Sequence, residues 1–165
     1  MAYEYQVMRR VEFSDTDMEG IVHYSNFFRY METVEHGFFR SLGFSVVLSR
    51  NGMNICLPRV HASCDYRAPL RFEDEVVIRL LVEKKGTRSL TYQIRFERKD
   101  GMEVARGRLV VVCAERQADG ELKAVSLPAA LSEKIQEAPP DLLARGRDAE
   151  TKTMSASSAA EVQTH

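Results

Sequence analysis

The sequence predicts an α+β domain in which an antiparallel sheet curves around one long buried helix. Two observations favour this class. Between Ser25 and Leu42, apolar side chains recur every three or four positions, the spacing that places them on one face of a helix. Before and after this segment, apolar and polar residues alternate with a period of two, as in strands with one buried face. A strand, a long buried helix and then several strands joined by short turns are typical of an α+β fold.

The first strand and the helix occupy the first 43 residues. Large apolar side chains alternate with charged or polar ones near the amino terminus, at Tyr3, Tyr5, Val7, Val11 and Phe13. Ser25 is the predicted N-cap of the helix, because a serine hydroxyl can accept a hydrogen bond from an unpaired first-turn amide. Gly43 is expected to end the helix after Leu42. The face to be buried contains Phe27, Phe28, Met31, Val34, Phe38, Phe39 and Leu42.

Four further strands are predicted from residue 54 onward, at 54–67, 74–85, 88–99 and 102–115. Short turns at 85–87 and at Asp100-Gly101 join neighbouring runs, so adjacent strands are expected to pair antiparallel. An irregular connection is expected at 44–53, and Pro128 opens a short terminal helix that runs to about Glu137.

A change in composition at Pro139-Pro140 marks the predicted end of the folded domain. The chain is 44% hydrophobic, which is enough for one buried core. After the two prolines it becomes rich in Ala, Ser, Thr and charged residues, as is typical of a segment that does not pack. We therefore predict one domain at 1–138 and a polar, mobile tail at 139–165.

Charge and composition argue against several classes of function. The 23 basic and 24 acidic residues give a net charge of -1, which provides no electrostatic reason for a nucleic-acid partner. The amino terminus has no apolar signal core, and no apolar run approaches the roughly 20 residues of a membrane helix. The three cysteines, at 56, 64 and 113, have no metal or redox spacing. We expect a cytoplasmic protein with reduced thiols and no membrane insertion.

The turn before the helix contains the best candidates for chemistry. Asp15 and Asp17 lie in a segment with Gly20, just ahead of helical backbone N–H groups that have no intrahelical partner. A carboxylate beside such donors can take part in catalysis, and it can equally hold a turn by hydrogen bonds. We expect Asp15 and Gly20 to be structural. The Asp-x-Asp spacing lacks a convergent set of His or Cys residues, so no metal is predicted.

The run VEFSDTDMEGIVHYSNFFRYME, residues 11–32, resembles the signature of the 4-hydroxybenzoyl-CoA thioesterase family of hotdog-fold proteins. That family includes acyl-CoA thioesterases associated with the Tol-Pal system. The resemblance extends more loosely to Glu115 through YRAP at 66–69, GTRSL at 86–90 and the strand LVVVC at 109–113. It implies the hotdog fold, in which a curved antiparallel sheet wraps around the central helix.

The resemblance also implies residue roles in the reaction. Asp17 matches the family's catalytic carboxylate, which attacks the thioester carbonyl or activates water against it. Backbone amides near His23 and Tyr24 are the implied donors to the carbonyl oxygen. Many relatives carry a His after the aromatic position, whereas His23 precedes Tyr24 here. Several relatives also have Ala-Arg where this chain has Val34-Glu35, a change of charge on the central helix.

The implied CoA site lies in a different part of the sequence. Arg88 and Ser89 match the turn that meets the nucleotide end of CoA in the family. Lys85 lies beside them, either as a cation for the phosphates or as part of a solvated turn. The family forms homodimers, often paired into tetramers, with each site at a subunit boundary.

We therefore expect an acyl-CoA thioesterase that releases a carboxylic acid and free CoA. Thioester hydrolysis suits this set of residues because the leaving thiol has a pKa of roughly 8.5 and needs little help from an acid. CoA is part of the substrate, and no bound cofactor is expected. Two alternatives remain open, a hotdog dehydratase and a noncatalytic acyl-CoA-binding or scaffold protein. Turnover of CoA esters distinguishes an enzyme from a binding protein, and free thiol distinguishes hydrolysis from dehydration.

Overall fold

The computed structural model describes residues 1–50 and 53–145. Its strands are β1 Glu4–Arg10, β2 Leu48–Arg50, β3 Met53–Cys56, β4 Arg59–Tyr66, β5 Glu75–Lys85, β6 Ser89–Arg98, β7 Glu103–Val112, β8 Ala114–Arg116 and β9 Leu122–Ala124. Its helices are α1 Tyr24–Ser41, α2 Ala129–Ser132 and α3 Pro140–Ala144, and a single 3-10 turn spans Phe13–Asp15. Among these helices none is both long and apolar enough to cross a bilayer.

Five strands form the main sheet, in the order β1-β5-β6-β7-β4. Every neighbouring pair is antiparallel, and the register shifts in the β4–β7, β5–β6 and β6–β7 pairs. Such irregularities bend the strands, which helps the sheet to curve around α1. A smaller sheet has the order β2-β3-β8-β9. The predicted α+β architecture, an antiparallel curved sheet with one main helix, is confirmed.

The core lies between α1 and the main sheet. Fully buried side chains of α1 include Met31, Val34, Phe38 and Phe39. They meet the inward face of strands β5 and β6. This face contributes Val76, Ile78, Leu80, Val82, Leu90, Tyr92, Ile94 and Phe96. The alternation in these strands and the three-and-four spacing in α1 therefore select the buried faces as predicted.

Gly37 allows α1 to approach β1 closely. A Cβ at position 37 would overlap the ring of Tyr5 at Cε1. The ring of Tyr5 therefore occupies space that any larger residue at position 37 would need.

Several element boundaries differ from the sequence prediction. The predicted strand 54–67 is divided into β3 and β4 around Pro58, which has no N–H to donate to a ladder. The predicted strand 102–115 is divided into β7 and β8, and β2 lies in the segment expected to be irregular. The predicted terminal helix is shortened to the four residues of α2. The N-cap of α1 is His23 and not Ser25, because His23 Nδ1 accepts the amide of Ser25.

The chain continues in ordered form beyond the predicted domain boundary at residue 138. The short helix α3 lies against the outer face of the main sheet, where Gln93 Nε2 donates to the carbonyl of Leu143 at 3.3 Å. Arg95, only 5% exposed, donates to the carbonyl of Leu142. The rest of the predicted tail, 146–165, lies outside the described residues.

Candidate active site

Asp15 is the centre of the turn that precedes α1. Its Oδ2 accepts the amide of Glu12 at 2.9 Å and contacts Arg9 Nη2 at 3.3 Å. Burial alone would raise the pKa of Asp15, but the amide of Glu12 and the guanidinium of Arg9 stabilise the carboxylate and lower the pKa below its ordinary value. The ionised side chain therefore holds the 3-10 turn in place.

The backbone carbonyl of Asp15 ties this turn to the start of α1. It accepts the amide of His23 at 2.9 Å and Nδ2 of Asn26 at 2.7 Å. Because a carbonyl oxygen has two lone pairs, these two donors use its full capacity. The loop from 15 to 23 is thereby closed at both ends.

Asp17 lies inside that closed loop. Its amide donates to the carbonyl of Ile21 at 2.9 Å, and its carbonyl accepts the amide of Gly20 at 3.0 Å. Gly20 has a φ of 75°, which a glycine adopts without steric cost. The Oδ1 atom of Asp17 accepts the amide of Glu19 at 2.9 Å. The loop thus fixes a carboxylate that is not fully buried.

The first turn of α1 leaves one backbone amide without an acceptor among the described residues. The amide of His23 is bound to Asp15, and Nδ1 of His23 accepts the amide of Ser25 at 3.4 Å. The amide of Asn26 donates to the carbonyl of His23 at 2.9 Å. Among the residues that the structure describes, the N–H of Tyr24 has no recorded acceptor, whereas the N–H of His23, the other predicted donor, is bound.

Asp17 and Tyr24 line one cavity of about 430 Å³ beside α1. Tyr66 forms part of its wall, with its ring packed edge-on to Phe27 at a centroid distance of 5.1 Å. The hydroxyl of Tyr66 donates to the carbonyl of Tyr24 at 3.2 Å. Burial, with Cys64 beside it, raises the pKa of Tyr66 to about 12, so this hydroxyl keeps its proton at neutral pH. The remaining wall consists of Ile21, Val22, Arg67, Ala68, Pro69 and Leu70.

The segment from Tyr66 to Leu70 contributes half of this lining, although its YRAP run entered the sequence prediction only through the family resemblance and not as part of the site. The signal available was an aromatic residue at the end of a strand, three positions before Pro69. Asn26 was also missed, because a single Asn in the first turn of a helix has no distinctive local pattern.

The predicted CoA-binding residues lie at the opposite end of the main sheet in the same subunit. Ser89 begins β6, whereas Phe96 pairs in register with Ala105, next to Tyr66. Seven residues of strand separate these two levels, which corresponds to about 23 Å. Within one subunit the predicted catalytic and CoA residues are therefore not brought together.

Lys85 and Arg88 differ in how they are engaged. Lys85 Nζ donates to the carbonyls of Ser132 and Ile135 at 3.1 and 2.8 Å, so its ammonium group anchors the segment around α2. The side chain of Arg88 is exposed, and its carbonyl accepts the amide of Cys113 at 2.7 Å. Arg88 is therefore the more available cation of the two.

A second charged cluster lies near the amino-terminal end of β4. The carboxylate of Glu35 is 1% exposed in the middle of α1 and forms an ion pair with Arg59. Glu32 lies 3.6 Å from the same guanidinium, and His36 lies 3.9 Å from Glu32. These four side chains border a separate cavity of about 330 Å³. Within the described parts of the chain, no three His, Cys, Asp or Glu residues gather as a metal site.

The chain belongs to the Thioesterase superfamily, whose family model matches residues 19–105. This match and the architecture together confirm the predicted hotdog fold. The matched range contains Tyr24, Asn26 and Tyr66 but begins two residues after Asp17.

Three relatives show how far the similarity extends. A putative esterase of Aquifex aeolicus is 39% identical over 85 residues, which span 51% of this chain and 65% of that protein, just under two thirds. A 1,4-dihydroxy-2-naphthoyl-CoA hydrolase of Synechococcus is 29% identical over 109 residues, or 62% of this chain and 71% of the relative. The solved structure of the gentisyl-coenzyme A thioesterase BH1999 is 30% identical, with a TM-score of 0.67 over 77% of this chain and 98% of that one.

Proposed function

We propose that this protein is an acyl-CoA thioesterase that hydrolyses its substrate to a carboxylic acid and free CoA. The observation that carries the proposal is that Asp17 and Tyr24 line the same cavity, and that the Tyr24 amide has no acceptor among the described residues. Hydrolysis of a thioester needs one group to attack or activate water and a donor for the developing oxyanion. The names of the hydrolase and thioesterase relatives support the same activity.

In the proposed reaction the thioester carbonyl oxygen accepts the N–H of Tyr24. Asp17 either attacks the carbonyl carbon or takes a proton from a water molecule that attacks it. Direct attack breaks the C–S bond, releases CoA as a thiolate and leaves an acyl anhydride on Asp17, which water then hydrolyses to the free acid and the original carboxylate. Attack by activated water also breaks the C–S bond and gives the acid and CoA thiolate, and the proton held by Asp17 then passes to the thiolate or to solvent. The free N–H lies at the positive end of α1, where it stabilises charge as the oxyanion forms, and loss of such a donor typically costs about 3 kcal/mol.

An aromatic acyl group is the substrate class we propose. Tyr24, Phe27, Tyr66 and Pro69 give the cavity flat apolar walls, and aromatic rings favour edge-on or offset contacts with such surfaces. The relatives named as 1,4-dihydroxy-2-naphthoyl-CoA hydrolase and gentisyl-coenzyme A thioesterase act, by their names, on aromatic acyl groups.

We propose that the working unit is a homodimer, or a dimer of dimers, formed through the edge strand β4. Along this strand six of eight residues are exposed, including Val60 at 62%. An eight-residue open edge with exposed apolar side chains favours pairing with another strand. Antiparallel pairing of two β4 strands would bring the partner's Arg88 and Ser89 to the end of the sheet where Asp17 lies. Sedimentation of an active enzyme as a monomer would contradict this arrangement.

Other parts of the proposal concern the setting of the enzyme. The reaction as written requires no resident cofactor, since CoA arrives and leaves with the substrate. A cytoplasmic location and the similarity to Tol-Pal-associated thioesterases remain expectations from the sequence. Neither affects the chemistry at Asp17.

Thiol release from a panel of aryl and alkyl CoA esters tests the activity and its acyl preference together. Asp17→Asn is expected to lower kcat by a factor of about 100 or more in a folded protein. Asp119→Asn is the matched control, because Asp119 Oδ1 also accepts the amide two residues ahead, at 3.0 Å, in an exposed turn. No thiol release from any ester would contradict the thioesterase proposal, and equal losses in both variants would contradict the role of Asp17.

A further inference from the structure

The amide side chain of Asn26 joins the two parts of the candidate site. Asn26 lies on the first turn of α1, two residues after Tyr24, whereas Asp15 lies two residues before Asp17. The 2.7 Å contact from Asn26 Nδ2 to the carbonyl of Asp15 spans eleven residues of chain. It therefore connects the element that carries the free amide to the loop that carries the carboxylate.

This contact also determines which first-turn amide remains free. Asn26 Nδ2 and the amide of His23 both bind the Asp15 carbonyl. With both lone pairs in use, that oxygen cannot also accept the neighbouring amide of Tyr24. Without the Asn26 side chain, one lone pair of the Asp15 carbonyl is left without a donor. The amide of Tyr24 is adjacent in sequence to the amide of His23 that this carbonyl already binds, so Tyr24 can compete for the vacant lone pair instead of binding the oxyanion.

The rest of the loop leaves little freedom for Asp17 once its ends are fixed. The side chain of Asp15 is held by Arg9 and by the amide of Glu12. Thr16 and Val22 form an antiparallel bridge across the loop. A change at the Asn26 contact would therefore move the loop relative to α1 rather than be absorbed within it.

We infer that Asn26 is a positioning residue, which fixes the Asp17 loop against the start of α1 and keeps the amide of Tyr24 available to the substrate. The inference rests on the proposed function, since it assigns Asn26 a role in the same site. Asn26 itself is placed outside the reacting atoms and acts through Asp15 and Tyr24.

Kinetics of Asn26→Ala test this role in the full-length protein. We expect kcat to fall about 10- to 100-fold with KM changed less than about threefold, because misplacement of reacting groups by about an ångström has effects of this size. Thr33→Ala is the control, since its hydroxyl makes a similar contact to a backbone carbonyl, that of Arg29, at 3.0 Å on the exposed side of the same helix. Equal kcat values for the two variants would overturn the inference.

A double-mutant cycle separates positioning from general loss of structure. Tyr24→Pro removes the amide that Asn26 is inferred to keep available, so Asn26→Ala should have a much smaller effect on kcat in that background. An undiminished loss in the Tyr24→Pro background would overturn the part of the inference that concerns the amide, because Asn26 would then act on kcat through the Asp17 loop alone.

Amide hydrogen exchange gives a readout that does not require activity. Asn26→Ala should speed exchange at Asp17, Gly20 and Val22 while leaving the later turns of α1 unchanged, and Thr33→Ala should leave the loop unchanged. Unaltered exchange in the loop would overturn the inference even if the protein hydrolyses thioesters. If the parent protein releases no thiol but the loop exchanges faster in Asn26→Ala, the proposed function fails, whereas the role of Asn26 in holding the Asp17 loop against α1 is supported.

Discussion

Arg59 at the start of the edge strand β4 forms an ion pair with Glu35, whose carboxylate is buried in the middle of α1. Burial raises the pKa of Glu35 to about 7; Arg59 opposes this rise and Glu32 adds to it. The pair joins the central helix to the strand that we propose as the subunit interface. Because Glu35 takes up or loses a proton near pH 7, the stability of the domain should depend on pH near neutrality.

The stability that Glu35 contributes should be lost as pH rises. Its folded-state pKa lies above the ordinary value of 4.5, so the folded chain holds the proton more tightly than the unfolded chain does. The contribution is full below about pH 4.5 and is lost as pH rises through about 7. The unfolding free energy of the parent minus that of Glu35→Gln should fall by roughly 1 to 3 kcal/mol over this window, measured with urea.

Glu32→Gln provides the control for this measurement, because Glu32 faces the same guanidinium with a half-exposed side chain. Its difference from the parent should change much less over the same pH range, since an exposed pair contributes little. If the difference in unfolding free energy between the parent and Glu35→Gln stayed constant or rose with pH, the raised pKa of Glu35 would be contradicted.

Removal of the free amide at the start of α1 should lower activity without unfolding the helix. Tyr24 is the first residue of α1, a position where proline is well tolerated, and His23 has extended backbone angles of -60° and 134° that suit a residue before proline. We expect Tyr24→Pro to lower kcat at least about 100-fold. Tyr24→Ala keeps the amide and should retain most of kcat, so similar losses in the two variants would count against the oxyanion role.

Because Gly37 packs closely against Tyr5, the effect of Gly37→Ala on the unfolding free energy should change sign when the Tyr5 ring is removed. Gly37→Ala should destabilise the parent by about 1–3 kcal/mol, because the new Cβ meets the ring of Tyr5. In a Tyr5→Ala background the clash is absent, and alanine should stabilise α1 by up to about 1 kcal/mol through its helix propensity. Denaturant unfolding of the four proteins checks the cycle, and destabilisation in both backgrounds would show that the clash is not the cause.

The short helix α3 should contribute to stability although it follows the predicted domain boundary. A chain ending at residue 138 lacks the carbonyls of Leu142 and Leu143 that accept from Arg95 and Gln93. We expect it to be about 1–2 kcal/mol less stable than a chain ending at residue 145. Arg95→Met should be costly in the longer chain and nearly neutral in the shorter one, and an equal cost in both would argue against this contact.

Much of the architecture followed from periodicity, because alternation and three-and-four spacing depend only on which faces exclude water. The strands β5 and β6 and the long helix were predicted for this reason, and the turn at Gly101 was predicted from its Asp-Gly dipeptide. The division of strand 54–67 around Pro58 was not predicted, and neither were the short strands β2 and β9. Pairings of only three residues depend on neighbours that are distant in sequence.

The sequence by itself determined the class of fold, the buried face of α1 and the presence of an acidic turn ahead of the helix. These are local properties, fixed by side-chain spacing and by the unpaired amides of a helix start. Only the tertiary structure decided that the amide of His23 is bound to Asp15 while that of Tyr24 has no acceptor in the described part of the chain. It also decided that Glu35 meets Arg59 and that Tyr66 and Asp17 line the same cavity. Hydrogen-bond acceptors and ion-pair partners are assigned by packing between elements far apart in the chain, which no local pattern encodes.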